Sequence, residues 1–180
     1  MSDTKKPEKP LVLKVLTAGE GGVGKTTLLH RYIEGEFQAN TKMTIGVQFF
    51  LKELELNSKK VILQIWDFGG QERFRMLLKS YANGAKGALL LFDLTRPLTL
   101  DRIDEWVNIC RSDDPDLPII FLGTKFDLKD QVSIEDDYIL EFVERFNLVT
   151  YLKTSSKSGR NVHKSFEILS ENILKHLELI

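Results

Sequence analysis

GEGGVGKT, residues 19–26, comes directly after the apolar run LVLKVLTAG, residues 11–19. The run is short and ends in glycine, which is typical of a strand, and residues 25–34 carry apolar side chains at helical spacing. The segment between them fulfils the pattern G-x-x-x-x-G-K-[ST] in the context of strand before and helix after. Because glycines let backbone N–H groups turn towards one point, the sequence predicts a phosphate-binding turn at the positive end of a helix.

The side chains of this phosphate loop predict contacts with a nucleoside triphosphate. Lys25 would reach the β- and γ-phosphates, and the Thr26 hydroxyl would ligate Mg²⁺, a hard cation that prefers oxygen. The predicted phosphate-binding residues of the loop and the first helical turn are Gly21, Gly22, Val23, Gly24, Lys25, Thr26 and Thr27.

Two other interpretations of the loop stay open at this point. The first is a glycine-rich turn with an incidental Lys-Thr. The second is a dinucleotide site, because Gly19, Gly21 and Gly24 also satisfy G-x-G-x-x-G. That site needs an acidic residue about 20 residues further on to hold the ribose, and residues 39–44 contain none.

Outside the loop, strand and helix patterns alternate along the chain, which predicts an α/β fold. Residues 47–56 alternate at period two, and the turn Asn57-Ser58 joins them to the apolar run 61–68, so these two runs predict a hairpin. Further strands are predicted at 87–94, 118–124 and 148–154, and helices at 72–83, 98–111, 133–146 and 161–178. The expected architecture is a six-stranded, mostly parallel sheet with one antiparallel edge strand and helices on both faces. Ser133 and Asp136 are expected to cap the helix at 133–146.

Length and composition narrow the class of protein. A chain of 180 residues fits one domain, predicted over 11–180 after a polar, disordered tail at 1–10. With 25 basic and 26 acidic residues the formal charge is −1, which disfavours nucleic acid as a partner. The single cysteine, Cys110, excludes an internal disulfide, and no apolar run approaches the ~18 residues that span a bilayer. A reducing, cytoplasmic setting is the default expectation.

The apolar run 61–68 ends in a second group of polar residues. Asp67 stands at its carboxyl end, where a carboxylate can orient the water shell of Mg²⁺ beside Thr26. The spacing D-x-x-G leaves the N–H of Gly70 free to meet a γ-phosphate. Gln71 follows, and its amide can both donate and accept, so it can orient a water for in-line attack.

The segment GTKFD, residues 123–127, ends the fifth strand and predicts the base-binding site. The Asp127 carboxylate can accept two hydrogen bonds from guanine, while adenine offers no such donor pair on that edge. The Lys125 stem can cover the purine face. The segment Thr154-Ser155-Ser156-Lys157 would then supply a backbone N–H to the guanine O6.

Taken together, GEGGVGKT, DFGGQE, TKFD and TSSK resemble the motifs of a Ras-superfamily small GTPase in order and spacing, over about residues 11–178. Within that superfamily the chain is most similar to the Rab branch, with a Rho-like T-K-x-D base motif. The resemblance implies a GTP/GDP switch that hydrolyses GTP with Mg²⁺. It implies that Thr44 reaches Mg²⁺ and the γ-phosphate only in the GTP state, and that Phe37 packs against guanine.

The resemblance assigns roles to the whole set. Gln71, Lys25 and Thr44 would be catalytic, and Thr26, Thr44 and Asp67 would hold the metal. Outside the phosphate loop, nucleotide contacts are implied for Phe37, Thr44, Gly70, Thr124, Lys125, Asp127, Ser155, Ser156 and Lys157. Two switch segments are implied, switch I at about 38–49 and switch II at about 68–83.

Protein partners of the switch are also implied by the resemblance, namely effectors, an exchange factor and a GTPase-activating protein acting on a monomer. The sequence carries no prenylation or myristoylation motif, since its last cysteine is Cys110 and Ser2 replaces the required glycine. Peripheral attachment to membranes would therefore need partners or a tail absent from this chain.

Several residues depart from the family pattern. Thr124 replaces the usual Asn, and Glu20 puts a carboxylate into the phosphate loop, where it must turn away from the phosphates. Phe68 and Gly69 replace the commoner Thr-Ala, and we expect Phe68 to stiffen switch II and Gly69 to loosen it. Two other functions therefore stay open: a nucleotide-gated scaffold with negligible hydrolysis and a small phosphate-loop kinase.

Overall fold

The computed structural model describes residues 9–180 and places one sheet between two layers of helices. The strands are β1 (Leu11–Ala18), β2 (Val47–Leu56), β3 (Lys59–Phe68), β4 (Gly87–Asp93), β5 (Ile119–Thr124) and β6 (Thr150–Lys153). The helices are α1 (Lys25–Glu34), α2 (Arg75–Ala82), α3 (Ile103–Cys110), α4 (Asp136–Arg145) and α5 (Val162–His176). Three short 3₁₀ turns lie at Glu72–Phe74, Pro97–Leu100 and Lys129–Gln131. The predicted tail at 1–10 falls outside the described residues except for Lys9 and Pro10.

The strands are ordered β2-β3-β1-β4-β5-β6, and only the β2–β3 pair is antiparallel. That pair is the predicted hairpin, with a register that runs from Val47 opposite Phe68 to Leu56 opposite Lys59. Its two-residue turn, Asn57-Ser58, has positive φ at both positions, as a tight hairpin turn that matches strand twist requires. The predicted six-stranded α/β architecture is confirmed.

Side chains on successive strand residues enter two separate cores. In β1, Leu16 and Ala18 join the core beneath α2, α3 and α4, while Leu13 and Val15 join the core beneath α1 and α5. Every residue of β4 and of β5 is buried, because both faces of these strands are covered. Because β1, β3, β4, β5 and β6 run parallel, their carboxyl ends lie at one edge of the sheet. The predicted polar segments follow the strands at this edge.

The predicted cap of α4 is wrong. The helix begins at Asp136 after an extended Glu135, and no side chain caps it. Ser133 instead donates its backbone N–H to the carbonyl oxygen of Leu94, just beyond β4. Because that hydrogen bond holds the chain in an extended course, the helix starts three residues later than the sequence pattern suggests.

In residues 9–180 no helix is both long and apolar enough to cross a bilayer.

Candidate nucleotide-binding site

The phosphate loop joins β1 to α1 through three glycines with positive φ, Gly19, Gly22 and Gly24. Gly24 forms the N-cap of α1 in the left-handed conformation. At Gly19, a Cβ atom would lie 2.2 Å from the carbonyl oxygen of Leu91 in β4, so only glycine fits against the neighbouring strand. Alternation of right- and left-handed residues makes a backbone concavity that binds anions. The loop therefore has the shape predicted for phosphate binding.

The ammonium group of Lys25 lies inside this loop. Its Nζ donates to the carbonyl oxygens of Gly19 and Glu20, both at 2.8 Å, and the residue is only 6% exposed. Burial lowers the pKa of Lys25 to about 8, against the opposing influence of the Asp67 and Glu20 carboxylates. Negative phosphate oxygens beside the amine would favour its charged form.

Three oxygen-bearing side chains from different segments meet next to Lys25. The Thr26 hydroxyl in α1 donates to Asp67 Oδ2 at 2.5 Å and lies 2.6 Å from the hydroxyl of Thr44. Thr44 is itself 3.4 Å from Asp67 Oδ2. Burial raises the pKa of Asp67, although the hydroxyl donors and Lys25 act against that rise. A set of hard oxygen donors with no nitrogen or sulfur fits Mg²⁺, so the residues predicted to hold the metal suit it.

The base-binding segment is tied to the phosphate loop by two side chains. The Thr124 hydroxyl lies 2.6 Å from the carbonyl oxygen of Val23. Lys125, which has a positive φ, donates to the carbonyl oxygen of Gly22 at 3.1 Å and pairs with the buried carboxylate of Asp93 at 2.7 Å. The replacement of Asn by Thr at position 124 therefore keeps a hydrogen bond between the two segments.

Asp127 is oriented from behind by the last loop. Ser155 donates its hydroxyl to Asp127 Oδ1 at 2.8 Å, which leaves the other carboxylate oxygen available to a ligand. The preceding residue, Phe126, donates its backbone N–H to the carbonyl oxygen of Thr154 at 3.0 Å. The two segments that the sequence assigns to the base thus form one unit.

A single cavity of about 610 Å³ connects the phosphate loop with the base-binding segments, a size typical of small-molecule sites. Fifteen predicted residues line it: Gly21, Gly22, Val23, Gly24, Lys25, Thr26, Thr27, Phe37, Thr44, Gly70, Thr124, Lys125, Asp127, Ser156 and Lys157. Glu20 does not line the cavity, in agreement with the expectation that it turns away from the phosphates.

Three predicted site residues do not line the cavity. Asp67 lies beneath Thr26 and Thr44, and Ser155 lies behind Asp127, so both act through other side chains. Gln71 lies at the rim, with its amide nitrogen 2.8 Å from the Met43 sulfur and its amide oxygen accepting from Arg73 Nε at 3.0 Å. Its catalytic role stays a prediction.

Some lining residues were missed by sequence reasoning: Ala39, Thr41, Lys42, Met43, Phe68 and Leu128. The first four fall inside the predicted switch I but carry no motif of their own. Thr17 was also missed, although it donates to Asp67 Oδ1 at 2.9 Å. The parallel register that places Thr17 beside Asp67 could have indicated this contact.

The two switch segments touch through their backbones at Gly69. Its N–H donates to the carbonyl oxygen of Gly46 at 2.8 Å, and a Cβ at position 69 would lie 2.6 Å from the carbonyl oxygen of Thr44. The neighbouring Phe68 is fully buried in the core, as its expected stiffening role requires. Gly69 therefore allows close contact between switch I and switch II.

Comparisons with known proteins show the family of this chain. A sequence model described as Ras family matches residues 14–175. The chain belongs to the Ras family. Ras-related protein RABA4a of Arabidopsis thaliana is 41% identical to it over 162 residues, which make up 89% of this chain and 71% of that protein.

Two further relatives of this Ras-family chain cover it similarly. Ras-related protein RIC2 of Oryza sativa subsp. japonica is 38% identical over 162 residues, 89% of this chain and 74% of that protein. Ras-related protein Rab-2B of Dictyostelium discoideum is 34% identical over 178 residues, 98% of this chain and 88% of that protein. The predicted membership, a Rab-like small GTPase of the Ras superfamily, is confirmed.

Gly69→Ala is expected to separate switch I from switch II. The added methyl would meet the Thr44 carbonyl oxygen, and relief of even about 1 kcal/mol of strain raises the open population about fivefold. Limited trypsin digestion at the exposed Lys42 should therefore be about fivefold faster than in the wild type. Ser80→Ala, at an exposed position of α2, serves as the control, and equal digestion of the two variants would contradict the contact.

Proposed function

We propose that this chain is a molecular switch that binds GTP with Mg²⁺ and hydrolyses it to GDP and phosphate. The observation that carries the proposal is one cavity with the oxygen-bearing side chains of Thr26 and Thr44, backed by Asp67, at one end and the Asp127 carboxylate at the other. Such a cavity suits a ligand that has phosphates at one end and a base with paired donors at the other. The Ras-family membership supports the same conclusion.

The residues of the loop would bind and polarise the triphosphate. Backbone N–H groups of residues 21–26 at the start of α1 would donate to the phosphate oxygens, and Lys25 would offset the charge that moves onto the leaving diphosphate. Thr26, Thr44 and, through its water shell, Asp67 would hold Mg²⁺. Bound Mg²⁺ would supply positive charge to the phosphate oxygens during transfer.

Hydrolysis needs a water placed in line with the bond that breaks. In the proposed reaction, the water oxygen bonds to the γ-phosphorus as the bond from that phosphorus to the β–γ bridging oxygen breaks, which releases GDP and phosphate. Gln71 would orient this water. Its amide nitrogen contacts the Met43 thioether, a weak acceptor, and its amide oxygen accepts from the exposed Arg73, so turning the amide towards the cavity exchanges two exposed contacts.

Loss of the γ-phosphate would release the switches. Thr44 belongs to switch I and lies next to Thr26 and Asp67, while Gly70 of switch II lines the same cavity. A terminal phosphate that contacts both residues would hold both segments, and its departure would free them. An exchange factor and a GTPase-activating protein would then set the lifetime of each state.

An aromatic surface beside the switches would serve effector proteins. Phe49, which is 58% exposed, makes an edge contact with Trp66 at 4.2 Å between ring centres, and Trp66 lies 5.9 Å from Tyr81. The exposed Met76 and Leu77 of α2 extend this surface. An apolar patch on segments that change with the nucleotide suits partners that distinguish the two states. The Rab-like relatives favour a role in membrane traffic or signalling.

Two rival functions are separable by one assay. A phosphate-loop kinase would need arginines over the phosphates, and the segment between β4 and β5 offers only three. Arg96 donates to the Gly21 carbonyl oxygen at 3.0 Å and pairs with Asp93. Arg102 pairs with Glu72, and Arg111 donates to backbone carbonyl groups near β5 and α4. A scaffold without hydrolysis is favoured by the contacts of the Gln71 amide, which meets Met43 and Arg73 and does not line the cavity. Incubation of the purified chain with Mg²⁺ and GTP or ATP, followed by chromatography of nucleotide and phosphate, distinguishes all three.

Asp127→Asn should change the preferred base from guanine to xanthine. The amide can donate to the xanthine C2 carbonyl but loses the charged acceptor, whose hydrogen bonds contribute about 1.5–3 kcal/mol each, so GDP affinity should fall at least about tenfold. Calorimetric titration with GDP and XDP measures the change. The control is Asp130→Asn, which removes the same charge from an exposed position nearby. A variant that still prefers GDP would show that Asp127 does not read the base.

Gln71→Leu should leave GTP affinity unchanged and slow single-turnover hydrolysis by about tenfold or more, since only the placement of water is lost. Gln131→Leu, an exposed glutamine changed in the same way, should hydrolyse at the wild-type rate. Release of phosphate from preloaded protein measures both. Wild-type turnover by the Gln71 variant would remove this residue from the mechanism.

A further inference from the structure

Arg75, the first residue of α2, is a buried cation in switch II that the proposed mechanism does not use. The residue is 8% exposed. Its guanidinium donates through Nη2 to Glu20 Oε1 at 2.5 Å and through Nη1 to Glu105 Oε2 at 2.7 Å. It also lies over the Trp106 ring, with Cζ 5.2 Å from the ring centre. These four residues are called the Arg75 clamp below.

We propose that Arg75 is a positioning residue for GTP hydrolysis: through the clamp it fixes the start of α2 against the phosphate loop and so holds Gln71 within reach of the γ-phosphate. The proposal rests on the proposed function, because it assigns Arg75 a role in that reaction. Arg75 itself does not line the cavity and would contact neither nucleotide nor water.

Glu20 links the clamp to the phosphate-binding group. Its backbone oxygen accepts from Lys25 Nζ at 2.8 Å, while its carboxylate oxygen accepts from Arg75 and, at 3.1 Å, from Trp106 Nε1. One residue thus contacts the catalytic lysine through its backbone and switch II through its side chain. The start of α2 is therefore held in position by the same loop that would bind the phosphates.

Two of the four clamp residues, Arg75 and Trp106, are buried. Trp106 is fully buried and forms a fixed wall beside the guanidinium. If Arg75 moved away from Glu20 and Glu105, its buried charge would lose its partners, which is strongly unfavourable. The planar fork of arginine contacts Glu20 and Glu105 with separate nitrogens, whereas a lysine ammonium is a single point charge. Lysine therefore keeps the charge but not the geometry.

A second contact holds the other side of Gln71. Gly70 lies directly on the phosphate loop, since a Cβ there would be 2.2 Å from the backbone nitrogen of Gly21. From Gly70 to Arg75 the chain includes only the 3₁₀ turn 72–74, whose Phe74 N–H donates to the Gln71 carbonyl oxygen at 3.1 Å. The backbone of Gln71 therefore lies between two points that approach the phosphate loop, Gly70 on one side and Arg75 on the other.

Single-turnover hydrolysis of preloaded Mg²⁺·GTP tests the proposal in Arg75→Lys, Glu20→Gln and the double variant. We expect each single change to slow hydrolysis about tenfold and the double variant to be no slower than the slower single one, because both changes break the same link. The GTP affinity of Arg75→Lys, measured by calorimetry, should stay within about twofold of the wild type, because the Arg75 side chain lies outside the cavity.

The matched control is Arg102→Lys. Arg102, directly before α3, also contacts switch II, through Glu72 at 2.8 Å. Because this pair is exposed, its loss should leave hydrolysis within about twofold of the wild type. Hydrolysis at the wild-type rate in Arg75→Lys would overturn the proposal. Equal losses of GTP affinity and of rate would also overturn it, because they indicate a general structural role, as would rate losses that add in the double variant.

Amide hydrogen exchange provides a second measurement that does not depend on turnover. In the protein loaded with Mg²⁺ and a non-hydrolysable GTP analogue, Arg75→Lys should speed exchange of the residue 71–75 amides about tenfold while leaving those of β4 unchanged. If the wild type does not hydrolyse GTP, the proposed function fails and exchange alone decides whether Arg75 positions the segment. Unchanged exchange in 71–75 would overturn the clamp.

Discussion

The site depends on the contact between the buried ammonium group of Lys25 and the phosphate loop. The loop holds it between the carbonyl oxygens of Gly19 and Glu20, and burial brings its pKa down to about 8, close to neutral pH. The contact requires a turn so tight that position 19 has no room for a Cβ against Leu91. The two hydrogen-bond acceptors of Lys25 in the loop are neutral carbonyl oxygens, and negatively charged phosphate oxygens would stabilise its charged form.

The surrounding segments are all fastened to this loop. Thr124 and Lys125 bind its carbonyl oxygens from the base side, and Gly70 and Arg75 contact it from switch II. Because every one of these contacts ends on residues 20–23, a shift of the loop would move the base site and the switch together. In the proposed mechanism, these shared contacts would let a change at the γ-phosphate alter a surface more than one element away.

Much of the architecture follows from local patterns, and the site follows from motifs. Residues 25–34 and 47–56 form the helix and strand at the predicted bounds, because their apolar spacing has a clear period and Gly or Asn-Ser ends each one. Long-range contacts could not be predicted. The partner of Ser133 is a carbonyl group beyond β4, and the partners of Glu20 lie 55 and 86 residues away, so no local pattern reports them. The orientation of Gln71 depends on Met43, which carries no motif.

We propose that the charge of Lys25 holds a guanine nucleotide in this cavity. Calorimetric titration of nucleotide-free wild type and Lys25→Ala with Mg²⁺·GDP and Mg²⁺·ADP decides whether it does. We expect tight binding of GDP and weak binding of ADP by the wild type. We also expect at least about a hundredfold loss of GDP affinity in the variant, since charged hydrogen bonds contribute about 1.5–3 kcal/mol each. Equal GDP affinities of wild type and variant, or equal wild-type affinities for GDP and ADP, would refute the proposal.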